Sequence, residues 1–376
     1  MRILQLAKFY PPEPGGIESA VRELAAGLNA RGLRADVLCA GKSWRSREER
    51  GPGGCRIIRA GAVGMLLSTS LSPALVVSLA RLAPAYDVVH VHMPNPMAAL
   101  ALWLVRPRAR VIVHWHSDVI HQRRALRLFE PLQRWLLSRA DRIIATSAGY
   151  AAASSALAPW SAKVAVVPLG IGDNSSRSDP GRVTSIRDCY PGKRIVFALG
   201  RMTPYKGFEV LIEAAGRLPD DVVVLVGGTG TLLQQHRKRV SALGLDGKVQ
   251  FLGPIPADDL ANYHSAAYVF CMPSLNRAEA FGIVILEAMA AGRPVVCSDV
   301  TGSGMGWVNV HGETGLTVAP GSADSLASAL NRLLAEPLLA ETMGAAGRRR
   351  FLSQFTAADM VGAIAATYSE LAADPN

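Results

Sequence analysis

The strongest constraint on this chain is an alternation that runs almost end to end. Short apolar runs are followed by stretches with helical spacing, and the pair repeats. Residues 3–7 read as a strand, 19–30 as a helix and 35–40 as a strand. Further strands fall at 88–91, 111–114, 142–146 and 164–167, with helices at 96–104 and 126–137. The pattern breaks at 170–181, a polar Gly/Ser/Pro-rich stretch that reads as an interdomain linker and surface loop. A second alternation follows, with strands at 195–199, 222–226, 249–252, 268–272 and 295–297 and helices at 207–217, 232–243 and 324–334. The tail from residue 345 is helical. Strands alternating with helices build parallel sheets covered on both faces, so the expected class is α/β with two doubly wound halves. In such folds ligands bind at the carboxyl ends of the strands.

Composition narrows the class. A chain of 376 residues, 49% hydrophobic and 19% charged, supports two ordinary cores. No uncharged apolar run reaches the length of a membrane-spanning helix. The opening residues read as a first strand rather than a signal peptide. The five cysteines, at 39, 55, 189, 271 and 297, form no Cys-x-x-Cys pair. Neither a disulfide framework nor a zinc site is indicated, and a reducing cytosol is the expected compartment. The net charge of +10 is uneven: residues 1–175 carry +11 and the rest −1. That asymmetry points to a surface for phosphates. RNA-module motifs and aromatic stacking signatures are missing, so no nucleic-acid partner is expected. Arg123, Arg124, Arg127, Arg134, Arg139 and Arg142 interleave with Leu126, Phe129, Leu132, Trp135, Leu136 and Leu137 at helical steps. Such a helix either lies on an anionic membrane or turns its apolar face to the core. Pro131 would kink it or begin its second part.

The chemistry centres on residues 279–287, Glu-Ala-Phe-Gly-Ile-Val-Ile-Leu-Glu. Glu279 falls on a loop after a strand and Glu287 about a turn and a half into the next helix. Phe281, Gly282 and Ile283 offer backbone N–H groups at the helix start, where the macrodipole favours an anion. Glu287 lies in an apolar run, so it is either paired or serves a ligand. Two acids flanking a diphosphate cradle suit a sugar nucleotide. Arg201 and Lys206 directly follow the strand 195–199 and can neutralise a diphosphate leaving group. Gly227-Gly228-Thr229-Gly230 follows the next strand; it lacks the third glycine of a Rossmann fingerprint, and serves either a tight turn or a nucleotide. Gly15 and Gly16 sit between the first strand and first helix. His90 and His92 precede a strand-end loop, as structural groups or as contacts to an acceptor; His114, His116 and His121 lie close together, as structural groups or, if one strand face lines a cavity, as a metal site. No Walker loop, Ser-His-Asp set or Asp-x-Asp metal motif is present, and no metal is expected.

Residues 279–295, with Gly200 to Gly207, Gly15 to Glu18 and His114 to Asp118, resemble in order the motifs of retaining glycosyltransferases of the GT4 family. The resemblance implies a GT-B fold, two Rossmann-like doubly wound domains facing across a cleft. It implies an acceptor-binding domain over 1–175, rejoined by a C-terminal helix at about 350–376, and a nucleotide-sugar domain over 176–349. By the same resemblance Glu287 holds the ribose hydroxyls, Glu279 contacts the donor sugar and His116 lies beside it. Gly15, Gly16 and Gly228 lie near the nucleotide, and Phe281, Gly282 and Ile283 present amides to its phosphates. Arg201 and Lys206 compensate the departing diphosphate without a metal or other cofactor. The segments 201–214 and 302–316 resemble mannosyl- and rhamnosyl-type members that build bacterial surface polysaccharides. That implies a GDP-sugar donor, with UDP-sugars or a GT-B nucleotide-sugar epimerase as alternatives. It also implies a lipid-linked glycan acceptor at the inner face of the cytoplasmic membrane.

Overall fold

The computed structural model describes residues 1–13, 15–66, 69–119 and 123–373, without the side chains of 123–126. The chain divides into two compact units: unit 1 is Met1–Gly172 with Ala357–Asn376, and unit 2 is Asp173–Thr356. These borders lie within a few residues of those read from the sequence at the linker, and seven residues later at the tail.

In unit 1 the strands are β1 (Arg2–Ala7), β2 (Arg34–Ala40), β3 (Arg47–Arg50), β4 (Arg56–Ala60), β5 (Gly64–Leu66), β6 (Thr69–Leu71), β7 (Val88–Met93), β8 (Arg110–Trp115), β9 (Arg142–Ala145) and β10 (Val164–Val166). Eight of them form one sheet in the order β10-β9-β8-β7-β1-β2-β4-β3, and β5 pairs with β6 alone. The apolar runs that read as strands become its buried centre, with Ile3, Leu6, Val37, Val89, Val91, Val113 and Ile144 inaccessible to solvent. The sheet is not wholly parallel: β3 pairs antiparallel with β4. Its sequence, Arg-Glu-Glu-Arg, is exposed throughout. A charged edge strand of this kind blocks further pairing and carries no apolar signal. The helices are α1 (Gly16–Ala30), α2 (Pro73–Leu82), α3 (Pro96–Val105), α4 (Arg123–Arg139) and α5 (Ala148–Ala153). Asn95 caps α3, accepting from the Ala98 amide at 3.2 Å, with Pro96 at its first position.

Pro131 does not divide α4, which runs unbroken through it. Leu136 and Leu137 are fully buried, so the second half of its apolar stripe faces the core. Leu128 is 87% exposed. The side chains of Arg123, Arg124 and Leu126, and all of His121, lie outside the described residues.

Unit 2 contains β11 (Arg194–Leu199), β12 (Val222–Gly227), β13 (Val249–Gly253), β14 (Val269–Met272), β15 (Val295–Ser298) and β16 (Gly315–Val318). They form a parallel sheet in the order β13-β12-β11-β14-β15-β16. Its helices are α6 (Pro180–Asp188), α7 (Phe208–Ala215), α8 (Leu233–Ala242), α9 (Leu260–Ala266), α10 (Ile283–Ala290), α11 (Met305–Val308), α12 (Ala323–Ala335) and α13 (Pro337–Gln354). The order reverses beside β11, the arrangement that leaves room for a ligand at strand ends. The stretch read as a linker is partly helical. Asp179 caps α6, accepting from the Gly181 amide at 2.8 Å, and Pro180 takes the first helical position. The final helix, α14 (Ala357–Ala373), belongs to unit 1 and packs on α1.

Candidate active site

In unit 2 the loops after four adjacent strands are stitched into one rim. The loop after β11 bonds the loop after β12 through Met202 N–H to Thr229 C=O, and the loop after β14 through Leu275 N–H to Tyr205 C=O, both at 2.8 Å. The loop after β15 joins through Gly304 N–H to Ala280 C=O at 2.7 Å. Arg201, Lys206, Gly228, Glu279, Phe281, Gly282 and Ile283 all lie on this rim, at the carboxyl edge of the sheet.

Lys206 is buried to 8% exposure, and its Nζ lies 2.6 Å from Glu279 Oε2. The sequence placed these two residues in separate roles; the fold makes them an ion pair, with side chains 10% and 13% exposed. Gly200 makes room for it, because a Cβ there would sit 3.1 Å from Lys206 Cε. Arg201 is exposed and has no acidic partner among the described residues. A rim with one tethered ammonium and one free guanidinium is built to meet an anion.

Gly282 precedes α10 at φ 81°, a left-handed conformation that disfavours other residues. Among the described residues the amides of Phe281, Gly282 and Ile283 find no acceptor. Orphan N–H groups of this kind at a helix start attract negative charge. Glu287, on the fifth residue of α10, is part-buried and paired with His264, whose Nε2 lies 3.3 Å from Glu287 Oε2. His264 is itself buried against Phe197 and Phe270. Sequence reasoning missed this partner, which sits on a different helix with no local signal. Gly228 has a packing reason for being glycine: its φ is 115°, and a Cβ would fall 2.0 Å from the Gly200 carbonyl oxygen.

In unit 1 the glycine loop behaves differently from a simple phosphate cradle. Glu18 lies in the first turn of α1 and folds back, so a Cβ on Gly15 would meet its carboxylate at 2.0 Å. The space beside Gly15 is taken by the acid, while Gly16 opens the helix.

The largest finding in this unit is a block of four buried histidines. His90 and His92 alternate on β7, and His92 stands directly opposite His114 on β8. His116 follows β8, its ring 4.1 Å from that of His114. His92 Nδ1 is 2.9 Å from His116 Nε2, and His92 Nε2 is 2.8 Å from Gln5 Oε1 on β1. His90 Nδ1 is 2.5 Å from the Tyr368 hydroxyl of α14. Burial pushes all four imidazoles well below the usual histidine range, His114 down to about 3, and they are neutral near pH 7. His90, His92 and His114 offer ring nitrogens within 4.8 Å of one another, the one set of metal-ligand character among the described residues. Both nitrogens of His92 are already hydrogen-bonded. The period-two spacing of 90/92 and 114/116 signals a shared sheet face; Gln5, polar within a buried strand, was the overlooked clue. Asp118, beyond His116, is held by Trp115 Nε1 and Ser154 Oγ at 2.9 and 2.7 Å.

Two Rossmann-like units, with an anion-seeking rim on the second, define the GT-B class of glycosyltransferase. The profile described as "Glycosyl transferases group 1" matches residues 186–350, and "Glycosyl transferase 4-like domain" matches 15–170. The chain is 32% identical to the O-antigen chain mannosyltransferase C of Escherichia coli, over 99% of both chains. It is 30% identical to a GDP-mannose-dependent alpha-(1-6)-phosphatidylinositol monomannoside mannosyltransferase of Mycobacterium tuberculosis, over 94% of both. Among solved structures, a sucrose-phosphate synthase from Thermosynechococcus elongatus superposes with a TM-score of 0.82 and 26% identity, covering 99% of this chain and all of that one. The chain belongs to the GT4 family of retaining glycosyltransferases and is a hexosyltransferase.

Proposed function

We propose that this enzyme transfers mannose, or a related deoxyhexose, from a GDP-linked donor to a lipid-linked glycan, with retention of configuration. The observation that carries the site assignment is the Lys206–Glu279 pair beside the open amides of Phe281, Gly282 and Ile283. Unit 2 holds the nucleotide sugar: Glu287 accepts from the ribose hydroxyls, the amides and Arg201 meet the diphosphate, and Lys206 compensates its charge as it departs. Glu279 both fixes the Lys206 ammonium and accepts from a hydroxyl of the donor sugar. Unit 1 takes the acceptor, and His116 contacts the sugar. The incoming hydroxyl attacks on the face the nucleotide leaves and gives its proton to the departing phosphate oxygen, so no protein nucleophile is required. No metal enters this scheme.

The choice of mannose rests on the relatives, whose names state mannosyl transfer. The basic unit 1 docks on anionic membrane at the inner face, bringing the lipid-linked acceptor to the enzyme. No described helix is long and apolar enough to cross a membrane. The buried Leu136 and Leu137 restrict any lipid contact of α4 to its first half, where Leu128 is exposed beside Arg127. A thermal-shift panel of GDP, UDP, ADP and dTDP tests the donor class, because a ligand that binds the folded state raises the melting temperature. GDP should give the largest shift. A larger shift with UDP would move the assignment to UDP-sugars.

A further inference from the structure

His90, His92, His116, Gln5 and Tyr368 are linked by hydrogen bonds in a chain whose proton positions follow from the orientation of the Gln5 amide, while His114 stacks among the rings without a hydrogen bond of its own among the described residues. Gln5 is fully buried on β1. Its Nε2 donates to the Tyr368 hydroxyl at 3.2 Å, which leaves its Oε1 to accept from His92 Nε2. An amide oxygen has no proton to give, so His92 carries its proton on Nε2. A neutral imidazole has one N–H, so His92 Nδ1 is bare and accepts from His116 Nε2. By the same rule His116 is bare at Nδ1, an atom that is buried and has no partner among the described residues. Tyr368 accepts from Gln5 and keeps its own proton for His90 Nδ1. The four rings stand side by side, with neighbouring planes tilted by 8 to 36°, so no ring turns without displacing another.

We propose that Gln5 and Tyr368 are positioning residues: acting through His92, they hold His116 in the Nε2–H tautomer and reserve its Nδ1 as an acceptor for a sugar hydroxyl. This rests on the reading that His116 contacts the sugar. Burial keeps every ring in the chain neutral, which the one-proton rule requires. The arrangement also gives the returning helix α14 a chemical duty. Its Tyr368 is the group that orients the Gln5 amide, and the amide sets the direction of every later hydrogen bond.

The test uses the full-length enzyme with Gln5→Leu, Tyr368→Phe and His116→Asn. Two readouts are needed: steady-state kinetics, and long-range proton–nitrogen spectra of histidine-labelled protein, with the His116 signals assigned by their loss in His116→Asn. The wild type should show a bare Nδ1 at His116. Gln5→Leu should lose that signature and lower kcat by roughly ten- to a hundredfold, leaving KM for the nucleotide sugar and affinity for free GDP unchanged. Tyr368→Phe removes the partner that orients the Gln5 amide but keeps the amide beside His92, so its loss of kcat should be smaller and in the same sense. If Gln5→Leu does not fold, Tyr368→Phe, which opens almost no cavity, carries the kinetic test. A protonated Nδ1 at His116 in the wild type would overturn the proposal. So would folded variants with wild-type kcat, or stoichiometric zinc on His90, His92 and His114 of the purified enzyme. Full activity in His116→Asn would instead sink the reading that His116 touches sugar, while the spectra would still report whether the chain exists.

Discussion

Replacing Lys206 by Met separates the ion pair seen in the structure from the leaving-group role proposed for this residue. The ammonium is 2.6 Å from the Glu279 carboxylate, in a site where both side chains are nearly dry. Removing one member of a buried ion pair strands the other, at a cost of about 3–5 kcal/mol for a fully buried pair. With a tenth of each side chain still wet, about 2 kcal/mol is the working figure, or roughly 4–8 °C in melting temperature if unit 2, Asp173–Thr356, melts as its own cooperative unit. The catalytic loss is independent of this. A cation aimed at charge that develops on the leaving group is worth about 3 kcal/mol in the barrier, or roughly a hundredfold in kcat. Adding Glu279→Gln removes the stranded carboxylate, so the double variant should regain most of the melting temperature and none of the turnover. The assay is calorimetry beside initial rates at saturating donor and acceptor. A double variant that recovers both would show that Lys206 acts only by neutralising Glu279. A single variant with wild-type kcat would remove Lys206 from the chemistry.

Glu287→Ala should weaken GDP by about tenfold, because the ribose loses a charged acceptor worth about 1.5–3 kcal/mol, partly offset by water; Glu279→Ala should lower kcat more than GDP affinity, and titration calorimetry beside kinetics separates the two. Turnover should persist in excess EDTA, and a loss restored by Mg²⁺ or Mn²⁺ would contradict the leaving-group scheme. The histidine block makes stability acid-sensitive. Its folded pKa values lie below the unfolded value near 6.5, so the unfolded chain binds more protons below that pH, and stability present above pH 6.5 is lost as pH falls. Each group contributes about 1.4 kcal/mol per pH unit. Denaturant midpoints between pH 7.5 and 5 should fall steeply, and His114→Phe should flatten the slope. Vesicle co-sedimentation should rise with anionic lipid and fall with salt, and Leu128→Glu with Arg127→Glu should weaken it; equal recovery on neutral vesicles would refute docking.

The sheets were legible because buried parallel strands are apolar runs and their connections carry helical spacing. Strand β3 was not, since Arg47 to Arg50 stand at a solvated edge where nothing selects apolar side chains. Helix α6 starts within a stretch of linker composition and was missed, because Asp179 and Pro180 are loop residues and helix-starting residues alike. At the site, the apolar run before Glu279, the turn at Pro273-Ser274 and the helix formers from Ile283 announced a strand–loop–helix turn, and that setting gave the glutamates at 279 and 287 their meaning. The pairing of Glu279 with Lys206, and of Glu287 with His264, depends on which loops and helices become neighbours. Local sequence does not carry that. The histidines show the division most clearly. Their period of two placed 90 with 92 and 114 with 116, but only the adjacency of β7 and β8 sets His92 opposite His114.

The most direct measurement is product analysis after incubation with radiolabelled GDP-mannose and a lipid-linked glycan acceptor. The expected result is acceptor-dependent transfer, with an α-mannosyl linkage that preserves the donor's anomeric configuration in the product's proton spectrum. An inverted linkage, or a changed sugar nucleotide released without acceptor, would contradict it.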